Sequence, residues 1–214
     1  MPDCAKGQFG YTRREERLNF ATHLAALAAA LAGSVYMLLR AARTGDAGTV
    51  AACAVFSISL CGVFAASSLY HGLPDGPLKY AAKKLDHISI YLIICGLYTA
   101  LIMVATPNLF GAAVACAVWI LGIWGTARKL AADQEKSRRA ELWLYVSMSC
   151  LIFPIFAFLN SATIAFLLAA AALNILGLFF YVKKDREYCH VIWHAFSFAA
   201  SACDYFAMLY ACGL

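Results

Sequence analysis

The sequence predicts an all-α integral membrane protein of seven transmembrane helices, with the N-terminus in the cytoplasm and the C-terminus outside. Three observations carry that expectation. First, the 214 residues are 63% hydrophobic and only 14% charged, with a mean hydropathy of +0.72. A soluble domain of that composition would lack the polar surface to cover itself. Second, the apolar residues fall into seven runs of about 20, the length a helix needs to cross a bilayer core. Third, Lys and Arg sit on alternate connections, as positive-inside topology demands.

In chain order, a cytoplasmic segment, residues 1–17, precedes a transmembrane domain, residues 18–214. The expected spans are about 18–39, 48–71, 86–105, 110–130, 141–159, 162–182 and 191–212. The breakers and charges fall between them, in "RAARTGDAG", "HGLPDGPLKYAAKKLD", "TPNLFG", "ADQEKSRRAE", "LNSAT" and "KKDREYCH". The first apolar run begins after Leu18 and is long enough to span, so a retained helix is expected there rather than a cleaved signal. Ala-rich stretches such as "LLAAAALNILG" supply small residues that let helices approach closely.

Orientation follows from the basic residues. Lys6, Arg13, Arg14, Arg17, Lys79, Lys83, Lys84, Arg128, Lys129, Lys136, Arg138, Arg139, Lys183, Lys184 and Arg186 fall on one side, against Arg40 and Arg43 on the other. The richer side is the cytoplasm, and the protein is expected to be multi-pass in the cell inner (plasma) membrane. The net charge of +5 is then topology, and a nucleic-acid partner is not expected. Nine Cys are scattered, mostly inside apolar runs, without a C-x-x-C. They read as reduced thiols that pack as small apolar groups.

The five histidines, His23, His71, His87, His190 and His194, all fall near cytoplasmic helix ends. Ionisable groups at membrane depth usually face a bundle interior or cavity, so their clustering suggests one shared site. His190 and His194, in "CHVIWHAF", are i,i+4 and stack on one helix face. That spacing suits metal chelation, although snorkelling or hydrogen-bonded core residues are competing readings. His71 closes helix 2 at the same depth, with Ser67 one turn earlier on its face, and Asp86 opens helix 3. Three histidines with one open position form the pattern of catalytic zinc. Asp86 is then the candidate for positioning or deprotonating water, and Ser67 for fixing a ligand or polarising a substrate oxygen. Each also has a plainer reading: Asp86 as a helix N-cap and Ser67 as a backbone hydrogen-bonder.

Helix 1 adds Glu16, Asn19 and His23, spaced i, i+3, i+7 on one face. They read as a cavity wall or an acid/base group beside the metal, against an interfacial first turn. His87 is about 100° around the helix from Asp86 and is expected to face elsewhere. Tyr98 and Thr99 read as interhelical hydrogen-bonders, and Asp204 as a deeper polar group without an assigned partner. No G-x-S-x-G occurs, "GTARKLAADQEK" is no phosphate loop, and Cys189 diverges from His190 on a helix.

Taken in order, "EERLNFATH", "SSLYH", "KKLDHISIYLIICGLYT" and "YCHVIWHAF" resemble the bacterial hemolysin III family. That family sits with the progestin and adipoQ receptors and, more distantly, the alkaline ceramidases. The resemblance covers essentially the whole chain. It implies seven membrane helices with S-x-x-x-H, Asp and H-x-x-x-H motifs around zinc, which correspond to Ser67, His71, Asp86, His190 and His194. The receptors and ceramidases imply zinc-dependent hydrolysis of lipid amides such as ceramide. The hemolysin name implies lysis or pore formation, and the branch is also linked to membrane lipid homeostasis. Ala100 stands where the family often has Pro, and the short C-terminus argues against a receptor of the animal type.

The expected function is thus zinc-dependent hydrolysis of a membrane lipid amide at the cytoplasmic leaflet. The alternatives are a non-enzymatic regulator braced by zinc, and a hemolysin or pore. The concentration of polar groups at one end counts against a pore.

Overall fold

Helix starts follow the capping chemistry of the sequence. In the computed structural model, which describes residues 6–131, 138–183 and 186–214, helix α1 (Arg13–Thr44) opens with a reciprocal capping box. The Thr12 hydroxyl accepts from the Glu15 amide, and the Glu15 carboxylate accepts from the Thr12 amide, so two otherwise orphaned donors are satisfied. Gly45, at φ +72°, ends α1 in the left-handed conformation that favours glycine. Helix α2 (Ala47–Gly72) starts on Asp46, whose carboxylate accepts from the Gly48 and Thr49 amides. Helix α3 (Pro77–Ala105) has Pro in its first turn, where a missing amide proton costs nothing. Helix α4 (Leu109–Ala131) follows Asn108, whose side chain accepts from the Gly111 amide. Asn160 caps α6 (Ser161–Val182), and α7 runs over Cys189–Ala211.

The fifth apolar run differs from the single span expected over 141–159. Helix α5 (Arg138–Cys150) stops, and a 3-10 turn over Phe153–Phe158 carries the chain onward. Pro154 explains the break, because it lacks an amide proton and its ring clashes with the preceding turn. Helix α3 also departs from expectation. It begins at Pro77, so Asp86 lies in its third turn and is not an N-cap, and Lys79, Lys83 and Lys84 are helical rather than loop residues. Residues 1–5 of the predicted N-terminal segment, and Lys136 and Lys184 of the charge count, lie outside the described residues.

Among the described residues there are seven α-helices and no strand, and six segments are long and apolar enough to cross a membrane. They are α1, α2, α3, α4, α6 and the combined stretch Ala140–Phe158. At 23 residues α7 has the length, but His190, His194 and Asp204 dilute its hydropathy. Outward-facing Ile58, Leu109, Ile120, Trp143 and Ile175 are largely exposed. Such an apolar exterior belongs against lipid.

Helices α1, α2, α3 and α7 close a four-membered ring by successive contacts; α4 packs on α3, α5 on α3 and α4, and α6 on α7. Paired side chains set the directions. Glu16 meets His71 and Ser34 meets Cys61, so α2 runs antiparallel to α1. Glu15 meets Tyr188 and Gly33 meets Tyr205, so α7 runs parallel to α1. Gly33 keeps that crossing close. A Cβ there would come within 3.1 Å of the Tyr205 ring, whose hydroxyl donates to the Gly33 carbonyl at 2.9 Å. The consequence is geometric: the first turns of α1, α3 and α7 and the last turn of α2 meet at one end of the bundle.

Candidate metal centre

That end gathers the histidines. His71 arrives from the last turn of α2, and His190 and His194 from successive turns of α7. All three are buried, and each offers one ring nitrogen within 4.8 Å of those of the other two. The Nε2 atoms of His190 and His194 are 3.0 Å apart. Three imidazoles converging from two helices are a donor set that zinc and similar borderline ions take readily when neutral.

The second nitrogen of His71 is already committed. Its Nδ1 lies 2.6 Å from Glu16 Oε2, while its Nε2 is buried without a protein partner. This is the arrangement in which a carboxylate orients a metal-ligating imidazole. Buried polar atoms normally find a partner, so an unsatisfied ring nitrogen beside two other imidazoles fits a ligand role. Among the described residues, no carboxylate or thiol joins the three histidines in the group.

Aromatic rings close the cluster on the side of the chain's N-terminal segment. Tyr11 stacks on His190 with ring centroids 4.8 Å apart and meets the edge of His71 at 5.8 Å. Tyr70 lies 4.4 Å from the His71 ring. Burial pushes the Tyr11 phenol well above its ordinary pKa, with nearby carboxylates adding to the shift, so this hydroxyl stays neutral. On the opposite side, one turn deeper, lie Asn19, His23, Ser67 and Ser68, all buried. The His23 ring is 3.8 Å from that of His194 and 5.4 Å from Phe64. Neither amide atom of Asn19, neither ring nitrogen of His23, nor the hydroxyl of Ser67 or Ser68 has a protein hydrogen-bond partner. Ser67 therefore does not bond its own helix backbone.

The residues singled out from sequence thus divide. His71, His190 and His194 come together. Glu16 contacts His71, and His23 contacts His194 through its ring. Asn19 and Ser67 are buried one turn away, and Asp86 is partly buried on α3 without joining the three-histidine group. His87 faces α5, where its Nδ1 is 3.6 Å from Glu141 Oε2. Lys129 donates to both Glu141 oxygens at 3.0 Å. Tyr98 donates to the Ser149 carbonyl, and Thr99 accepts from Trp119 while donating to the Cys95 carbonyl.

Sequence reasoning missed Lys79, Tyr11 and the Lys129–Glu141 pair. Charge and hydropathy put Lys79 in a loop, yet its Nζ is 2.8 Å from Glu16 Oε1 and buried. The "GP" before it signals that Lys79 is helical, but nothing local marks it as buried. Glu15, also missed, joins two helices: Oε2 completes the α1 capping box and Oε1 accepts from the Tyr188 amide at 2.9 Å.

Residues 11–205 match the family model described as "Haemolysin-III related". The chain is 26% identical over 206 residues to the "Hemolysin-3 homolog" of Bacillus subtilis (strain 168), covering 94% of this chain and 96% of that one. It is also 26% identical over 201 residues to the "Hemolysin-3" of Bacillus cereus, with 92% and 91% covered. With a family match across the site and nearly all the helices that build it, this multi-pass membrane protein belongs to the haemolysin-III related family.

Proposed function

We propose that this protein is a zinc-dependent hydrolase of ceramide-like lipid amides, working at the cytoplasmic leaflet of the cell's inner (plasma) membrane. The carrying observation is the convergence of His71, His190 and His194, with no fourth ligand among the described residues. In this reading α7 is the seventh span, the N-terminus is cytoplasmic and the C-terminus is outside. The basic-residue asymmetry supports that orientation.

His71, His190 and His194 would hold the ion. When bound, zinc supplies Lewis acidity that polarises a carbonyl and makes water nucleophilic near neutral pH. The other roles fall to the chain itself. Glu16 orients His71 through Nδ1. Asp86 positions or deprotonates the attacking water, and the Ser67 hydroxyl supports a substrate oxygen. Asn19 and His23 form the polar wall beneath the ligands. Tyr11 and Tyr70 shield the centre from bulk water, which strengthens electrostatic interactions within it.

The test is metal content of the purified protein together with hydrolysis of a panel of ceramide-like lipids, for wild type, His71→Ala and Asp86→Asn. The expected result is metal in wild type and Asp86→Asn, loss of metal in His71→Ala, and cleavage only by wild type. A general base lost at Asp86 is expected to cost about 10²–10⁴-fold in rate. A wild type that binds no metal rules the reading out.

A second reading is favoured by one observation. The three histidines are 2–7% exposed and covered by Tyr11, as expected of an ion that braces helices in a non-enzymatic regulator of membrane lipids. Metal retained without amide cleavage by any variant would select it. The lytic reading suggested by the relatives' names has less support, because the buried polar cluster occupies one end while the large core beyond it is apolar. Lysis that survives His71→Ala would revive it.

A further inference from the structure

Lys79 is the least expected member of the cluster. Its side chain is 3% exposed, although a lysine at a helix start can ordinarily reach solvent. Its ammonium donates to the Leu73 carbonyl at 3.0 Å, lies 2.8 Å from Glu16 Oε1, and sits 5.5 Å from the Tyr70 ring centroid. Asp75 is 3.9 Å away, beyond hydrogen-bond range. Glu16 is therefore its principal anion. The other Glu16 oxygen, Oε2, is the one 2.6 Å from His71 Nδ1. Three helices thus contribute one line of side chains: Lys79 from α3, Glu16 from α1 and His71 from α2.

The donor inventory gives that line a direction. An ammonium only donates and an ionised carboxylate only accepts. With Oε1 claimed by Lys79, Oε2 accepts from His71, which places the imidazole proton on Nδ1. A neutral ring protonated at Nδ1 carries its lone pair on Nε2, and His71 Nε2 is the buried atom without a protein partner. A buried ion pair is weak evidence for stability, and its better-attested use is to specify one arrangement.

We propose that Lys79 is a positioning residue for the three-histidine centre: it anchors Glu16 so that the carboxylate holds His71 in the Nδ1–H tautomer, with Nε2 presented toward His190 and His194. Its expected effect on metal affinity rests on the zinc reading above. Its effect on the tautomer does not.

Substituting Glu16→Gln makes the logic testable. Lys79 can only donate, so it claims the amide oxygen and turns the NH2 group toward His71 Nδ1. That nitrogen must then accept, and the proton moves to Nε2. Removing the ammonium as well, in Glu16→Gln with Lys79→Met, frees the amide to turn its oxygen back to His71. A purely structural pair would show worsening or additive losses rather than this rescue.

Two readouts apply to folded protein in detergent, with secondary structure and monodispersity checked. The first is the nitrogen-15 chemical shifts of the histidine rings in chelator-treated, histidine-labelled protein, with His71 assigned by substitution. Wild type, and Lys79→Arg with its retained cation, should show the Nδ1–H tautomer of His71; Glu16→Gln should show Nε2–H; the double variant should return toward wild type. The second is zinc affinity by competition with a chromophoric chelator. Glu16→Gln and Lys79→Met should each weaken binding about 10–100-fold, the usual cost of losing a group that orients a ligand, and the double variant should bind more tightly than Glu16→Gln. An Nε2–H tautomer in wild type, or a double variant no better than Glu16→Gln, overturns the proposal. Wild type without zinc but with the expected tautomer pattern refutes the metal reading and leaves the positioning role standing.

Discussion

Replacing Asn19 by Leu should make the protein more stable and less functional. Asn19 is fully buried on α1, one turn from both Glu16 and His23, and neither of its amide atoms has a protein partner. A buried polar group left without a partner costs about 1–3 kcal/mol, and this side chain carries two. Leu is close in volume and removes both, while imperfect repacking costs less than about 1.5 kcal/mol. The net expectation is a stabilisation of about 0.5–6 kcal/mol. Equilibrium unfolding in detergent with increasing SDS, with chelator present, measures it. On the proposed function, lipid amide hydrolysis by the same protein should fall. A Leu variant destabilised by more than about 1 kcal/mol refutes the argument, because the amide would then be making interactions that the fold depends on.

Two further outcomes follow from interactions away from the ligands. Glu141→Gln leaves the Lys129 ammonium, 1% exposed, without its charged partner and should destabilise the protein by about 3–5 kcal/mol, whereas Lys129→Met with Glu141→Leu should recover most of that; the same unfolding assay reads both, and a double variant no better than the single one counts against a specific pair. The Asp46 carboxyl at the start of α2 is held below its ordinary pKa by the Thr49 hydroxyl and the Thr49 and Gly48 amides. A lowered folded-state value means its stabilisation is present above the ordinary carboxylate range and is lost as pH falls through the folded value. The difference in melting temperature between wild type and Asp46→Ala at pH 6 should therefore shrink at pH 3, and a constant difference would be the contrary result.

What the sequence made legible is what depends on one helix at a time. The i,i+4 spacing places His190 and His194 on one face of α7 whatever surrounds it. The depth of His71 follows from where its apolar run ends. The stripe of Glu16, Asn19 and His23 faces inward for the same periodic reason. What stayed hidden depends on two helices meeting. Nothing in the local pattern of "GPLKYAAKKLD" distinguishes Lys79, buried against α1, from Lys83 and Lys84. His87 turned toward Glu141 because of how α5 lies across α3. Tyr11 covers His190 because the segment before α1 folds back, with the Gln8 amide donating to Asp75 in the α2–α3 connection at 3.0 Å. Asp86 was misjudged as a helix start because charge and hydropathy mark where a span begins, not where a helix begins. The helix extends to the "GP" that can open it.

The placement of the histidines traces back to a helix cap. His71 is fixed against α1 by Glu16, but His190 and His194 ride on α7, whose axial position needs its own restraint. Glu15 supplies it at the near end, because the oxygen left over from the capping box takes the Tyr188 amide just before α7 begins. Tyr188 has φ of 61° there, an unusual conformation for a bulky residue that tertiary contacts must hold. The Tyr205 hydroxyl on the Gly33 carbonyl supplies the restraint farther along. A slip of one residue in α7 would move its histidines 1.5 Å along the axis and 100° around it, enough to separate them from His71. Two adjacent glutamates in "RREER" therefore divide the work: Glu16 aims His71 from α2, and Glu15 sets the register of the helix that brings His190 and His194.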